Sequence, residues 1–379
     1  MIKSKLLNIE PSIYAVISKM ANDYDAIDLS QNYTDFNCND ELVSLVNKYM
    51  RKGYNQYAPI EGLFSLRDVI AEKTENLYSQ KYNPEREITI TAGATQAIYT
   101  AITIAVEEGD EVIVFEPAYE TYIPVIKLNG GTPIYVQLKA PDFKIDWNEV
   151  NQRISSKTKM IIINSPNYHT GTTLSAFDIE KLQKIVLGTN ILILSDEVFE
   201  HIIFDGLEHQ SIARFPELVE RSFIISSFGK TYNNPGWKIG YCLAPKELMK
   251  EFRKIHQFMM LSVNTPMQYA LADYVKNKDE YLNLGTFYQK KRDYFNSLLK
   301  DSNFKIIPSK GTYFQLLDYG KISNEKEVYF AKKLIQQTGV ASLPVSVFYH
   351  QSIENNTLRF CFAKSDETLE KVAEKLKQL

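Results

Sequence analysis

Phe223-Ile224-Ile225-Ser226-Ser227-Phe228-Gly229-Lys230-Thr231-Tyr232, running on to Pro235-Gly236-Trp237-Lys238-Ile239-Gly240, sets an apolar strand, a hydroxyl-rich turn and a lysine in succession. A second cation follows eight positions later. A short continuous apolar run suits a strand covered on both faces. An ammonium near such a sheet is costly unless it has a partner or gives up its proton. An amine with a lowered pKa at a strand end is suited to forming an imine with a carbonyl. The competing reading is a solvated turn lysine, which an isolated Ser-x-Gly-Lys would favour. The surrounding chain decides between them.

Outward from this stretch, short β-rich runs alternate with longer helical patterns. Strands are expected at Ile88-Thr91, Glu111-Phe115, Ile134-Gln137, Met160-Asn164, Ile191-Ser195, Phe223-Ser226 and Gly240-Leu243, with helices such as Thr95-Glu107 and Asp178-Leu187 between them. The alternation predicts an α/β fold with a mostly parallel sheet and crossover helices. Beyond about Lys246 the pattern turns helical, as in Tyr288-Lys300. Strand-like runs then return at Phe304-Ile307, Thr312-Leu317, Val340-Pro344 and Thr357-Phe362, which suggests a smaller α+β domain. The division expected is an N-terminal arm and start of the small domain over 1–40, a large domain over 41–285 and the small domain over 286–379.

A chain of 379 residues can bury a large core. Its 44% apolar and 23% charged residues are ordinary globular values, and a net charge of -3 argues against broad attraction to nucleic acid or membranes. Cys38, Cys242 and Cys361 are far apart and odd in number, and none of the five histidines falls in a metal-binding pattern. No apolar run reaches membrane length, and Met1-Ile2-Lys3-Ser4 does not begin a signal peptide, so a cytoplasmic setting is expected.

Four further places sit at ends of expected strands, where ligands gather in open α/β sheets. Thr91-Ala92-Gly93-Ala94-Thr95 is a strand-to-helix turn whose amides suit an anion, although such turns are common. Tyr119, after Glu116-Pro117-Ala118, can stack on a flat cofactor or simply pack. Asp196, emerging from Ile191-Ser195, can pair with a protonated ring nitrogen or cap a helix. Arg359, inside the apolar run Leu358-Phe362, suits a carboxylate or a structural salt bridge. An imine-forming amine, an anion cradle, a stacking ring, a ring-nitrogen partner and a carboxylate clamp together fit pyridoxal phosphate in an amino-acid enzyme.

With these residues in view, the chain resembles the class I aminotransferases of fold type I, nearest the methionine and kynurenine (glutamine-type) branch. The resemblance runs through Leu29-Ser30-Gln31, Asn55-Gln56-Tyr57-Ala58-Pro59, Thr91-Ala92-Gly93-Ala94-Thr95, Ser195-Asp196-Glu197-Val198, Ser227-Phe228-Gly229-Lys230-Thr231, Thr265-Pro266, Gly311-Thr312-Tyr313-Phe314 and Arg359-Phe360-Cys361-Phe362-Ala363-Lys364. It implies a seven-stranded, mostly parallel sheet in a large domain with a smaller α+β domain. It further implies that Lys230 holds pyridoxal 5'-phosphate as an imine and shuttles a proton, that Asp196 pairs with the ring nitrogen, and that Tyr119 stacks on the ring. Ala94, Thr95, Ser227 and Lys238 would hold the phosphate, joined by Tyr57 from the other subunit of a homodimer. Arg359 would bind the substrate α-carboxylate, with Tyr14 and Tyr313 as weaker candidates for the substrate pocket.

The chain also departs from that family. Aligning on Thr170-Gly171 puts Tyr168 and His169 where relatives usually have asparagine and proline, and Phe199 stands where a tyrosine usually contacts the cofactor's phenolic oxygen. An exchange would account for both losses, with the phenol of Tyr168 replacing the one lost at position 199. Divergence without exchange, or a one-residue slip leaving Asn167 in the role, are the alternatives. Asn32-Tyr33-Thr34 replaces a usual Gly-Phe-Pro, which brings Asn32 to the substrate side.

The function expected is ping-pong transfer of an amino group to a 2-oxo acid. The expected donors are methionine, phenylalanine or tyrosine, glutamine and kynurenine. No second arginine is evident as a clamp for a dicarboxylate, which favours neutral side chains. The alternatives are a cysteine-conjugate β-lyase and a non-catalytic protein that binds the cofactor, the latter opposed by retention of Lys230, Asp196 and Arg359.

Overall fold

The computed structural model describes residues 12–351 and 353–379. The helix Ile13–Asp23 leads into a two-residue strand, β1 (Ile27–Asp28). The principal sheet follows, built from β2 (Ile88–Thr91), β3 (Glu111–Glu116), β4 (Thr132–Gln137), β5 (Thr158–Asn164), β6 (Leu192–Asp196), β7 (Ser222–Ser227) and β8 (Gly240–Leu243). Their order is β2-β8-β7-β6-β5-β3-β4. Every neighbouring pair is parallel except that β8 runs antiparallel to both β2 and β7.

The apolar runs that announce these strands are buried on both faces. Ile161, Ile163 and Ile193 pack into one core cluster, whereas Met160, Ile162 and Leu194 pack into another. This is the period-two division expected of a sheet covered by helices on either side. Between β2 and β3 runs the helix Gly93–Ala105. It begins two residues before the expected Thr95 because Gly93, at φ +77°, turns the chain directly out of β2. The other crossover noted in the sequence is the helix Ala176–Val186, with Ser175 and Asp178 forming a reciprocal capping box.

The C-terminal part carries an antiparallel sheet from β9 (Lys305–Ile307), β10 (Phe314–Asp318), β12 (Leu343–Pro344) and β13 (Thr357–Cys361), in the order β12-β13-β10-β9. β11 (Val340–Ala341) instead pairs with β1 in parallel. The single expected strand Val340-Pro344 is thus two short ones in different sheets. The expected strand at Thr312 begins only at Phe314, since Thr312 takes φ +67°, outside the extended region. Ile17 and Ala21 of the N-terminal helix join the core beneath this second sheet. Among the described residues, no helix is long and apolar enough to cross a membrane.

Strand register decides what lies side by side. Asn164 at the end of β5 pairs in register with Asp196 at the end of β6. Asp196 is beside Ile225, two residues before Ser227, and Gly240 pairs with both Ser227 and Thr91. The ends of five strands therefore present Thr91, Asn164, Asp196, Ser227 and the start of β8 along one rim.

Candidate active site

A cavity of about 250 Å³ opens at that rim. Nine of the thirteen residues singled out from the sequence line it: Asn32, Ala94, Thr95, Tyr119, Tyr168, Asp196, Ser227, Lys230 and Lys238. Tyr14, Tyr57, Tyr313 and Arg359 do not.

One end of the cavity is built to receive an anion. The helix Gly93–Ala105 starts there, and its N-cap Ala92 offers no side-chain acceptor to the first amides. Those N–H groups and the helix dipole favour negative charge. Lys238 reaches the same point, its Nζ lying 3.3 Å from where a Cβ on Gly93 would sit. A Cβ on Gly240 would come within 2.8 Å of the Ala94 amide nitrogen, so glycine permits the close packing of β8 on the helix start. The Ser227 hydroxyl accepts from the Gly229 amide at 3.1 Å and faces the same space. Thr95 Oγ1 and the Tyr119 hydroxyl are 3.2 Å apart, which ties the ring expected to stack to the anion cradle.

At the other end lies Asp196. Its Oδ2 accepts from the Tyr122 hydroxyl at 2.5 Å, and its Oδ1 from the Val198 amide at 3.3 Å. Burial pushes the carboxyl up to about 6 against those two donors. An ionised carboxylate has capacity for further donors, and a ring N–H would add one. No helix follows Asp196, so the alternative of an N-cap is set aside. Neighbouring Asn164, not singled out from the sequence, also lines the cavity. It donates from Nδ2 to the Asp196 carbonyl at 3.0 Å and accepts from the Tyr168 amide at 2.7 Å. Its place as the last residue of β5 was the available signal, since the other strand ends supplied the site. Tyr122 had no such signal, being recognisable only by its contact with Asp196.

Between the two ends stands Lys230. Its amine donates to the Asn32 carbonyl at 2.8 Å and the Tyr313 hydroxyl at 2.7 Å, and that hydroxyl also lies 2.7 Å from the Asn32 carbonyl. Burial, with smaller effects from Arg359 and Lys238, lowers the amine to about 7. A solvated turn lysine is therefore excluded. Tyr313, outside the cavity wall, is a direct partner of the amine.

Tyr168 forms part of the wall between Tyr119 and Phe199, with ring centroids 5.4 Å and 5.9 Å away. Its hydroxyl is hydrogen-bonded to Asn32 Nδ2 and interacts with Tyr14. Asn167, the alternative under a slipped register, does not line this cavity. Its side-chain oxygen instead accepts from the His169 and Thr170 amides. Arg359 is wholly buried behind Tyr168, its guanidinium 5.1 Å from that ring and 3.8 Å from Phe314. It has no carboxylate partner among the described residues; it donates to the Tyr168 carbonyl, His169 and the Tyr14 hydroxyl. The structural salt bridge that competed for Arg359 is therefore not formed. Tyr57 is 81% exposed and contributes nothing to this cavity from its own chain.

An anion cradle, an acid with spare accepting capacity and a part-neutral amine between them match the three polar features of a phosphorylated pyridine aldehyde. Comparisons with known proteins agree with this fit. A profile of the family described as aminotransferase class I and II matches residues 24–376. Methionine aminotransferase of Escherichia coli is 43% identical over 378 residues, covering 100% of this chain and 98% of that protein. Kynurenine–oxoglutarate transaminase of Dictyostelium discoideum is 33% identical, covering 97% of this chain and 94% of its own. A crystal structure from Escherichia coli, described as identifying a methionine aminotransferase function, superimposes with a TM-score of 0.97 at 42% identity over the whole of both chains. The chain belongs to the class I and II aminotransferases, a family that depends on pyridoxal phosphate.

Proposed function

We propose that this aminotransferase takes its amino group from neutral amino acids, methionine and the aromatic ones foremost, and passes it to a 2-oxo acid. The observation that carries this reading is the charge of the cavity wall. Among the described residues, its only charged side chains are Asp196, Lys230 and Lys238, each with a role towards the cofactor, and no arginine lines it. A second carboxylate would find no partner there, whereas Tyr119, Tyr168 and Phe199 offer an apolar and aromatic surface. The methionine and kynurenine names of the relatives point the same way.

When bound, pyridoxal phosphate supplies the carbon that takes the amino group and a conjugated ring that accepts the electron pair left at the substrate α-carbon. The chain's own residues do the rest. Thr95, the Ala94 amide, Ser227 and Lys238 hold the phosphate, and Tyr119 covers the ring. Asp196, ionised above about pH 6, accepts a hydrogen bond from the ring nitrogen and so keeps it protonated. Lys230, lowered to about 7, is part neutral at physiological pH, so its amine can take a proton from the α-carbon and return it elsewhere. Arg359 binds the α-carboxylate from behind Tyr168. Tyr57 completes the phosphate site of a second subunit in a homodimer. We further propose a cytoplasmic setting and the division into an arm and the start of the small domain over 1–40, a large domain over 41–285 and the rest of the small domain over 286–379.

The test is the single-turnover change in the holoenzyme's visible spectrum on adding methionine, phenylalanine, glutamine or aspartate. Methionine and phenylalanine are expected to react fastest, aspartate to be slower by ~100-fold or more, and Lys230→Ala to abolish turnover. Aspartate reacting as fast as methionine would refute the substrate reading, and normal turnover by Lys230→Ala would refute the role of Lys230.

A further inference from the structure

His169 has no part in the chemistry above, yet its contacts are specific. It is 1% exposed and stacked on Phe348, with ring centroids 3.8 Å apart. Its Nε2 is 3.1 Å from the Ala118 carbonyl oxygen, and its Nδ1 is 3.3 Å from Arg359 Nη1. A carbonyl only accepts, so Nε2 carries the proton; a guanidinium only donates, so Nδ1 is bare. The two contacts select one neutral tautomer. Burial first, and the Arg359 charge second, hold the imidazole's pKa well below its ordinary value, in agreement with that state.

The acceptor at Nδ1 matters for what Arg359 has left to offer. Nη1 also donates to the Tyr168 carbonyl at 3.3 Å, so its two hydrogens are both engaged. Nη2 donates one hydrogen to the Tyr14 hydroxyl at 3.1 Å. Nε, on the same edge as Nη2, is buried without a partner among the described residues. Phe314 covers one face of the group. Protein contacts thus consume Nη1 and leave donors on the Nε–Nη2 edge, whose spacing matches the two oxygens of a carboxylate.

We propose that His169 is a positioning residue for substrate binding: its Nδ1 engages Nη1 and so fixes the rotation of Arg359 that keeps the Nε–Nη2 edge for the α-carboxylate. This rests on the reading of Arg359 as the carboxylate-binding group. Through Arg359, His169 sets affinity for amino acids and 2-oxo acids without touching them.

The test uses the holoenzyme and 3-phenylpropionate, a carboxylate without an amino group, whose dissociation constant is read by calorimetry. His169→Phe keeps an aromatic ring against Phe348 and removes the acceptor. It is expected to weaken 3-phenylpropionate and raise KM for phenylalanine by about tenfold, with kcat within about twofold. Reaction with phenethylamine, which lacks the carboxylate, is expected to be unchanged, and His169→Gln, which restores an acceptor, to recover most of the affinity. Unaltered 3-phenylpropionate binding by His169→Phe, or an equal loss with phenethylamine, overturns the proposal. If Arg359→Gln weakens the carboxylate while His169→Phe does not, only the role of His169 fails. If Arg359→Gln has no effect, the reading of Arg359 fails and this proposal with it. In the wild-type holoenzyme, the imidazole 15N resonances of His169 give a second measure that needs no variant. A bare Nδ1 whose signal moves when 3-phenylpropionate binds supports the proposal, and a protonated Nδ1 overturns it.

Discussion

Lys230 carries its chemistry at the expense of stability. Its amine is ordinarily near 10.5 and sits at about 7 in the folded protein because burial disfavours the ammonium. Between those two values the unfolded chain binds the proton more tightly than the folded one. The penalty is therefore full below about pH 7 and fades as pH rises through 10.5. Lys230→Met, which keeps the length of the side chain without the charge, is expected to stabilise the cofactor-free protein by on the order of 2–4 kcal/mol at pH 7. Urea denaturation at several pH values checks this. The gain should shrink towards zero near pH 11, and a gain independent of pH would mean that packing rather than charge is responsible. With the role proposed for Lys230, the same substitution is expected to remove activity, so stability and function pull apart at this residue.

Elements are held in register by a buried network beneath the cavity, centred on Glu200, four residues after Asp196. Its Oε1 accepts from Lys73 Nζ at 2.7 Å, from Ser226 at 2.7 Å and from Tyr241 at 3.1 Å, while Oε2 accepts from Tyr78 at 2.7 Å. Ser226 precedes Ser227 on β7, so this one carboxylate links the turn after β6 to the strand that delivers Lys230. Burial opposes its ionisation, but the Lys73 ammonium and the surrounding donors hold it far below the usual carboxylate range. Glu200→Gln strands Lys73 without a counter-charge and is expected to cost about 3 kcal/mol or more at neutral pH. A group with a depressed folded pKa stabilises above its unfolded value, here near 4.5, and loses that contribution on acidification. The difference in Tm between wild type and variant should therefore narrow below about pH 4.5; calorimetric scans that keep a constant gap would count against the network.

The same elements mark how far the sequence could be read. Strands such as Met160-Ile163 and Phe223-Ile225 were legible because a strand buried on both faces is one unbroken apolar run. The site was legible wherever its residues close such a run, as Asp196 and Ser227 do. What could not be read depends on partners distant along the chain. Val340-Pro344 divides because β1 takes its first half, a pairing that joins opposite ends of the protein. Tyr14 meets Arg359 across 345 positions, and no local pattern predicts that the guanidinium lies behind Tyr168 rather than in the cavity wall.

On the scale of the whole molecule, Tyr57 is the residue that a single chain leaves without a task. It belongs to the Asn55-Pro59 stretch through which the chain resembles its family, yet it is 81% exposed and does not line its own cavity. A large aromatic side chain in that state fits a contact made in another subunit. If Tyr57 donates to the phosphate held by a neighbour's Lys238 and Ser227, Tyr57→Phe should weaken cofactor binding by about tenfold, as loss of a hydrogen bond to a charged group implies. Mixing variants separates this arrangement from one within a single chain. In a heterodimer of a Tyr57→Phe subunit and a Lys230→Ala subunit, the first provides an intact Lys230 and the second an intact Tyr57, so one complete site is restored. Co-expressing the two with distinct tags, isolating the heterodimer and assaying it at limiting pyridoxal phosphate should recover about half of the wild-type activity per dimer. A Tyr57 that served its own chain would leave every site in that heterodimer damaged, and activity no better than the average of the two parent variants would reject the shared site.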